Sequence, residues 1–178
     1  MYSGARYISG CKFEEYLCRL IRDTAITDTI IIPNFKFYSS VLGYSPQIDL
    51  LVLNKYGVYC IEAKNISGKL EGKFDDTIWT SYSKYYVNSL QNPIKQNRTH
   101  IDALRFELRL KFGKSPLIKN IVCVNKECLF DKDISFPIHT PTSLLKLLYN
   151  DSKKKKANKK FKRINTKELY YYLRYLGT

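Results

Sequence analysis

Two nearly continuous, β-rich apolar runs, Ile48 to Leu53 and Val58 to Ala63, are separated by only Asn54-Lys55-Tyr56-Gly57. Runs this short, bounded by Pro46, Asn54 and Gly57, read as two strands of a buried sheet joined by a tight connection. Each carries a charge that a plain core strand would not. Asp49 lies inside the first, and Glu62 and Lys64 lie at the end of the second. An ionised group buried without a partner costs several kcal/mol, so such placements are rarely idle. Strand side chains alternate, which puts Glu62 and Lys64 on one face with Val58 and Cys60.

The connection decides what Asp49 meets. In an antiparallel hairpin with a two- or four-residue loop, Leu53 lies opposite Val58 and Asp49 opposite Glu62, with Cβ atoms about 4.5–5.5 Å apart. A three-residue loop pairs Asn54 with Val58 and Asp49 with Ala63, and sends Glu62 to the other face. Adjacent carboxylates repel unless a proton or cation intervenes. Mg²⁺ answers that need: it takes oxygen ligands, keeps several waters, and is usually held by one or two carboxylates plus substrate phosphate. Mn²⁺ can take its place. Lys64 can then orient or deprotonate the attacking water, or stabilise charge on a phosphate. The arrangement suits phosphodiester hydrolysis, and a half-solvated ion pair at a strand end is the plainer alternative.

Around this pair the periodicity changes several times. Phe13, Leu17, Leu20 and Ile21 predict an amphipathic helix over about residues 11–25. Ile30-Ile31-Ile32, ending at Pro33, predicts another strand, and Trp79 with Tyr82, Tyr85, Tyr86 and Val87 a further one. Asn92-Pro93 supplies an N-cap and a proline at the first helical position, opening a helix that continues through Ile94, Ile101, Leu104, Leu108 and Phe112. Ile118 to Val124 reads as a strand and Pro141 to Tyr149 as a helix. A last short helix, capped by Asn165 or Thr166, spaces Leu169, Tyr172, Leu173 and Leu176. The order of elements is that of a layered α/β or α+β domain over residues 1–150, followed by a Lys-rich segment and short helix over 151–178.

Charge names a class of partner. The chain carries +14, and residues 151–178 hold ten basic against two acidic side chains, leaving +6 for the first 150. Clustered Lys and Arg bind polyanions through counterion release, so nucleic acid accounts for both the acidic cluster and the basic field around it. Tyr85 and Tyr86 can stack on bases if exposed. Attachment of the Lys-rich tail to anionic membrane is the weaker reading, since neither a lipidation motif nor a strongly apolar helix face accompanies it. No apolar run is long enough to span a bilayer and the N-terminus lacks a signal-peptide core, so a cytoplasmic address is expected. The five cysteines, at 11, 18, 60, 123 and 128, form no CxxC pair and join only two histidines. Reduced, mostly buried thiols are expected, with no Cys/His zinc site.

The ordered run Gln47-Ile48-Asp49, Gly57-Val58-Tyr59-Cys60-Ile61-Glu62-Ala63-Lys64, Gly68, Trp79 and Asn92-Pro93-Ile94-Lys95-Gln96 resembles the nuclease-related domain (NERD) family of the PD-(D/E)xK nuclease superfamily. The likeness covers about residues 10–110. It implies a restriction-endonuclease-like mixed β-sheet flanked by helices, and Mg²⁺-dependent cleavage of DNA, with RNA open as a substrate. It further implies that Asp49 and Glu62 bind the metal, that Lys64 assists the nucleophile, and that Gln96 is a further site position. The family places a Glu in its first helix; Glu14 fits, because Leu17 and Ile21 follow at three and seven residues, with Glu15 as the other register. Phe13 stands where the family usually has a second Gly, and Ile48 where the superfamily has Pro.

On a helical wheel, Gln96, His100, Ala103 and Glu107 share a stripe away from the one through Ile94, Ile101, Leu108 and Phe112. A solvated polar face explains that stripe as readily as a site does, and neither His100 nor His139 is expected to be catalytic. A non-catalytic nucleic-acid-binding module with the same fold is the competing function, and an unidentified protein partner stays open.

Overall fold

In the computed structural model, which describes residues 3–24, 29–130, 137–153 and 165–177, the hairpin is the centre of the molecule. Strands β2 (Gln47–Asn54) and β3 (Gly57–Lys64) pair antiparallel with Leu53 opposite Val58 and Asn54 opposite Gly57, so the even register holds. On the outer side of β2 runs β1 (Ile30–Lys36), antiparallel; on the other side of β3 lie β7 (Ile118–Val124) and then β9 (Ile138–His139), both parallel. This five-stranded sheet, in the order β1-β2-β3-β7-β9, is mixed.

The strand at Ile30 does not stop at Pro33 as expected. β1 runs through it to Lys36, because an edge strand has one side without ladder bonds and tolerates a missing N–H.

Helices cover both faces. On one, α1 (Ser3–Arg22) and α3 (Pro141–Ser152) pack Phe13, Leu17, Ile21, Leu144 and Leu148 against Leu50, Val52, Tyr59 and Ile61. On the other, α2 (Pro93–Phe112) and α4 (Thr166–Leu176) bury Ile101, Leu104, Leu108, Leu169 and Leu173 against Leu51, Leu53, Val58 and Cys60. Each of these side chains, withdrawn fully from water, contributes about 1.5–3 kcal/mol. Helix α1 starts eight residues earlier than the sequence predicts. Helix α4 shares its core with Phe35 and Phe37, so the C-terminal helix is built into the sheet's own core. Asn165 caps it, accepting from the Lys167 N–H at 2.8 Å. Most of the Lys-rich run, residues 154–164, lies outside the described residues.

A second sheet, β6-β5-β4-β8, was not foreseen. It comprises β4 (Lys69–Glu71), β5 (Ile78–Tyr82), β6 (Val87–Gln91) and β8 (Leu129–Phe130). Strands of two or three residues leave no periodic signature. Tyr85 and Tyr86, expected to continue a strand, occupy the turn between β5 and β6 instead, where Ser83 N–H and hydroxyl both donate to the Tyr86 carbonyl. Trp79 fixes this sheet to the rest: its indole N–H donates to the Lys73 carbonyl at 2.8 Å, and its ring lies so close to Gly72 that a Cβ there would sit 2.1 Å from Trp79 Cδ1.

Asn92 then turns the chain into α2. Its side-chain oxygen accepts from Ile94 N–H at 2.9 Å and Lys95 N–H at 3.3 Å, while its amide nitrogen donates to the carbonyls of Phe74 and Asp76. The Asn-Pro pair is therefore both a helix start and a clamp on the loop before β5.

Candidate active site

The site forms where β2 and β3 separate. Their ladder ends at Leu50 opposite Ile61, one step before Asp49 and Glu62 would face each other. From there the Asp49 carboxylate substitutes for the missing strand neighbour, accepting the Ala63 N–H at 2.8 Å. The expected direct opposition of two carboxylates is thus modified: the register is the even one, but the strands part at this step and Asp49 bonds to the backbone of its neighbour.

Glu62 is almost completely buried, at 2% exposure, and Lys64 reaches one of its oxygens at 2.6 Å. This is the shared face that alternation predicts. The other oxygen, Oε2, has no hydrogen-bond partner among the described residues. Facing it at 4.0 Å is Nδ1 of His100 on α2, also buried and also without a partner there. His100 is the residue that sequence reasoning set aside. The stripe Gln96–His100–Ala103–Glu107 is not a solvated face, because His100, Ala103 and Glu107 are buried. Glu107 is covered by the loop after β1, accepting from the N–H and hydroxyl of Ser40 at 3.2 and 2.9 Å. The available signal was spacing: His100 is one turn beyond Gln96 on the same stripe.

Charge ties these groups together. Burial, and then the Glu62 carboxylate, push the Asp49 acid up from its ordinary 3.8 to about 6, against the Ala63 N–H and the Lys64 ammonium, which pull it down. Glu62 is raised by burial despite its Lys64 partner, with Glu14 adding to the rise. Glu14 on α1 is half-buried and raised by burial and by Asp49, with Lys64 opposing. His100 is held below its ordinary value by burial and by Lys64. Lys64 therefore stands in the field of three carboxylates and an imidazole drawn from α1, β2, β3 and α2. Glu15, the other helical register, points outward and pairs with Arg19 at 3.7 Å. Gln96 sits half-buried one turn before His100, and its side chain makes no hydrogen bond among the described residues.

Residues 9–125 match the sequence model of a family described as Nuclease-related domain. The chain belongs to the nuclease-related domain family. Nuclease-related domains are placed in the PD-(D/E)xK superfamily, and the mixed sheet flanked by helices is the restriction-endonuclease-like architecture that membership implies. The chain is also 33% identical, over 93 residues, to an uncharacterized protein of Bacillus anthracis; the match covers 52% of this chain and 43% of that protein. It thus spans less than half the length of this curated relative. No solved structure matches it. Among the described residues, no helix of this nuclease-related domain is long and apolar enough to cross a membrane, and all five cysteines are free, four of them buried.

The donors fit a hard divalent cation better than a soft one. A buried carboxylate oxygen with no hydrogen-bond partner among the described residues stands next to a second acid whose proton affinity is raised by burial and then by repulsion, and such a pair favours positive charge between its members. Among the described residues no three His, Cys, Asp or Glu side chains converge closely enough to cage a metal. Two carboxylates are hard oxygen donors, the kind that can hold Mg²⁺ while water and substrate phosphate complete its shell.

Proposed function

We propose that this nuclease-related domain hydrolyses phosphodiester bonds of DNA with Mg²⁺ as cofactor, Mn²⁺ serving in its place. The observation that carries the reading is the Oε2 atom of Glu62, buried and unpartnered beside Asp49 and Lys64. A group whose only task was structural would have its hydrogen bonds completed, since leaving a buried acceptor unsatisfied costs about 1–3 kcal/mol.

Asp49 and Glu62 would hold the cation. When bound, it lowers the proton affinity of water and neutralises charge on the scissile phosphate. The chain's own residues supply the rest. Asp49 is kept in place by the Ala63 N–H, so its carboxylate is aimed before substrate arrives. Lys64 balances Glu62 in the free protein, and with a cation held by the two acids its ammonium would be available to orient the attacking water or to meet the phosphate. Glu14 adds negative charge from α1, and Gln96 presents an amide from the first turns of α2. His100 closes the far side of Glu62 and excludes solvent from it. The net charge of +14 supplies the long-range attraction for a polyanion, and a reducing, cytosolic setting suits the free thiols.

The test is cleavage of end-labelled single- and double-stranded DNA and RNA with Mg²⁺, Mn²⁺ or EDTA, comparing the wild type with Asp49→Ala, Glu62→Ala and Lys64→Ala. Cleavage that needs the cation and disappears in all three variants is expected. Binding with no cleavage of any substrate would leave a nucleic-acid-binding module in its place.

A further inference from the structure

The four-stranded sheet buries one face and opens the other. Leu70, Trp79 and Ile94 pack inside. On the outer face the register aligns Val87, Tyr82, Lys69 and Leu129 in one row across β6, β5, β4 and β8. Val87 is 62% exposed and Leu129 69%. Just past the row, in the β5–β6 turn, Tyr85 is 81% exposed and the Lys84 ammonium stands 5.3 Å from its ring centre. A solvent-facing sheet surface ordinarily carries polar side chains. Here exposed Ile78, Tyr82, Val87 and Leu129 stand among Thr80, Ser89 and the Lys69–Glu71 ion pair, with the Lys84 ammonium at the edge.

One short loop connects the row to the strand that carries Glu62 and Lys64. Gly68 is packed against Tyr82 so tightly that a Cβ there would fall 1.7 Å from the Tyr82 carbonyl oxygen, and the Leu129 N–H donates to the Gly68 carbonyl at 2.9 Å. Gly68 follows Lys64 by four residues, a reach of at most about 14 Å. Asn125, just after β7, donates to Asn65, just after β3, at 2.8 Å, which ties the two loops together at the same end of the sheet.

We propose that the Tyr85 turn and the adjoining row form a stacking platform for unpaired nucleotides, holding a single-stranded segment of polynucleotide beside the carboxylate site. The inference rests on the nuclease reading and deepens it by naming the form of the substrate. A tyrosine ring offers its face to any base, and an ammonium beside it meets the phosphate that follows, which is the alternation a polynucleotide strand presents. A duplex keeps its base faces stacked inside and gains little from such a surface. The net charge of the chain favours a polyanion over a neutral apolar partner.

Fluorescence anisotropy of the full chain tests this, with labelled single-stranded DNA, single-stranded RNA and blunt duplex DNA, all in EDTA so that no strand is cut. Tyr85→Ala is expected to weaken single-strand binding roughly 5- to 160-fold, the range for loss of one stacked ring, while duplex affinity stays within about 2-fold. Tyr85→Phe is expected to bind like the wild type, because stacking does not need the hydroxyl. The DNA and RNA arms distinguish which sugar the platform accepts. Unchanged single-strand affinity, an equal loss on duplex, or a Phe variant as weak as the Ala variant would overturn the platform. So would failure to bind any polynucleotide, which would turn the surface over to a protein partner. Binding is read without metal, so a protein that binds single strands through Tyr85 but cleaves nothing in Mg²⁺ would sink the nuclease reading and keep the platform.

Discussion

Replacing Asp49 with Asn should make the metal-free protein more stable at neutral pH while abolishing the proposed cleavage. Asp49 has an ordinary value of 3.8 when exposed and about 6 in the folded chain. Between those values the folded state holds the proton more tightly than the unfolded state, so stability falls as pH rises through the window and the loss is complete above it. At about 1.4 kcal/mol per tenfold change in proton affinity, ionised Asp49 costs the metal-free fold about 3 kcal/mol at pH 7.5 and about 1 kcal/mol at pH 4.5. Asparagine keeps an oxygen for the Ala63 N–H and removes the charge. Urea unfolding in EDTA should therefore show Asp49→Asn ahead of the wild type by up to about 3 kcal/mol at pH 7.5. About 2 kcal/mol of that advantage should vanish at pH 4.5, a change of roughly 4–8 °C in melting temperature for a chain of this size. A variant less stable than the wild type at pH 7.5, or an advantage equal at both pH values, would refute the argument that repulsion and burial load this acid.

Other consequences of the structure are as direct. Lys64→Met leaves Glu62 buried without its cation, so cleavage should fall by at least about 100-fold while duplex binding in EDTA changes little, measured by single-turnover rates and anisotropy. Tyr59→Phe removes the 2.8 Å hydrogen bond to buried Asp151, which Lys119 also contacts; a loss of about 1–2 kcal/mol in urea unfolding is expected, with cleavage unaffected. Gly72→Ala would set a methyl 2.1 Å from Trp79 and should cost about 1–3 kcal/mol, with a shift in tryptophan emission as the indole is displaced.

Much of this was legible before any coordinates, for reasons that can be named. The hairpin was legible in two apolar runs around a four-residue connection, but its register was open between an even and a three-residue loop, and the structure has the even one. The Asn92 cap and Pro93 marked the start of α2 because both act locally. Glu14 rather than Glu15 faces inward because Phe13, Leu17 and Ile21 set the buried side of α1. What escaped was decided by distant parts of the chain. His100 is buried because α2 packs on the sheet exactly where β2 and β3 part, and nothing in a helical wheel shows that a polar stripe will be covered. Nor does local sequence reveal that Asp49 will bond to the Ala63 backbone, since that depends on where the ladder ends. The second sheet was missed because β4 and β8 have three and two residues, and their pairing joins segments sixty residues apart.

The deciding measurement is a Mn²⁺ titration followed by electron paramagnetic resonance on the full chain, with the wild type, Asp49→Asn and Glu62→Gln side by side. One bound ion per chain in the wild type, displaced by Mg²⁺ and weakened at least about 10-fold in each variant, is the result expected if the two acids hold the cation. Equal Mn²⁺ affinity in all three proteins would contradict it and leave Asp49, Glu62 and Lys64 as an ion-pair cluster at a strand end.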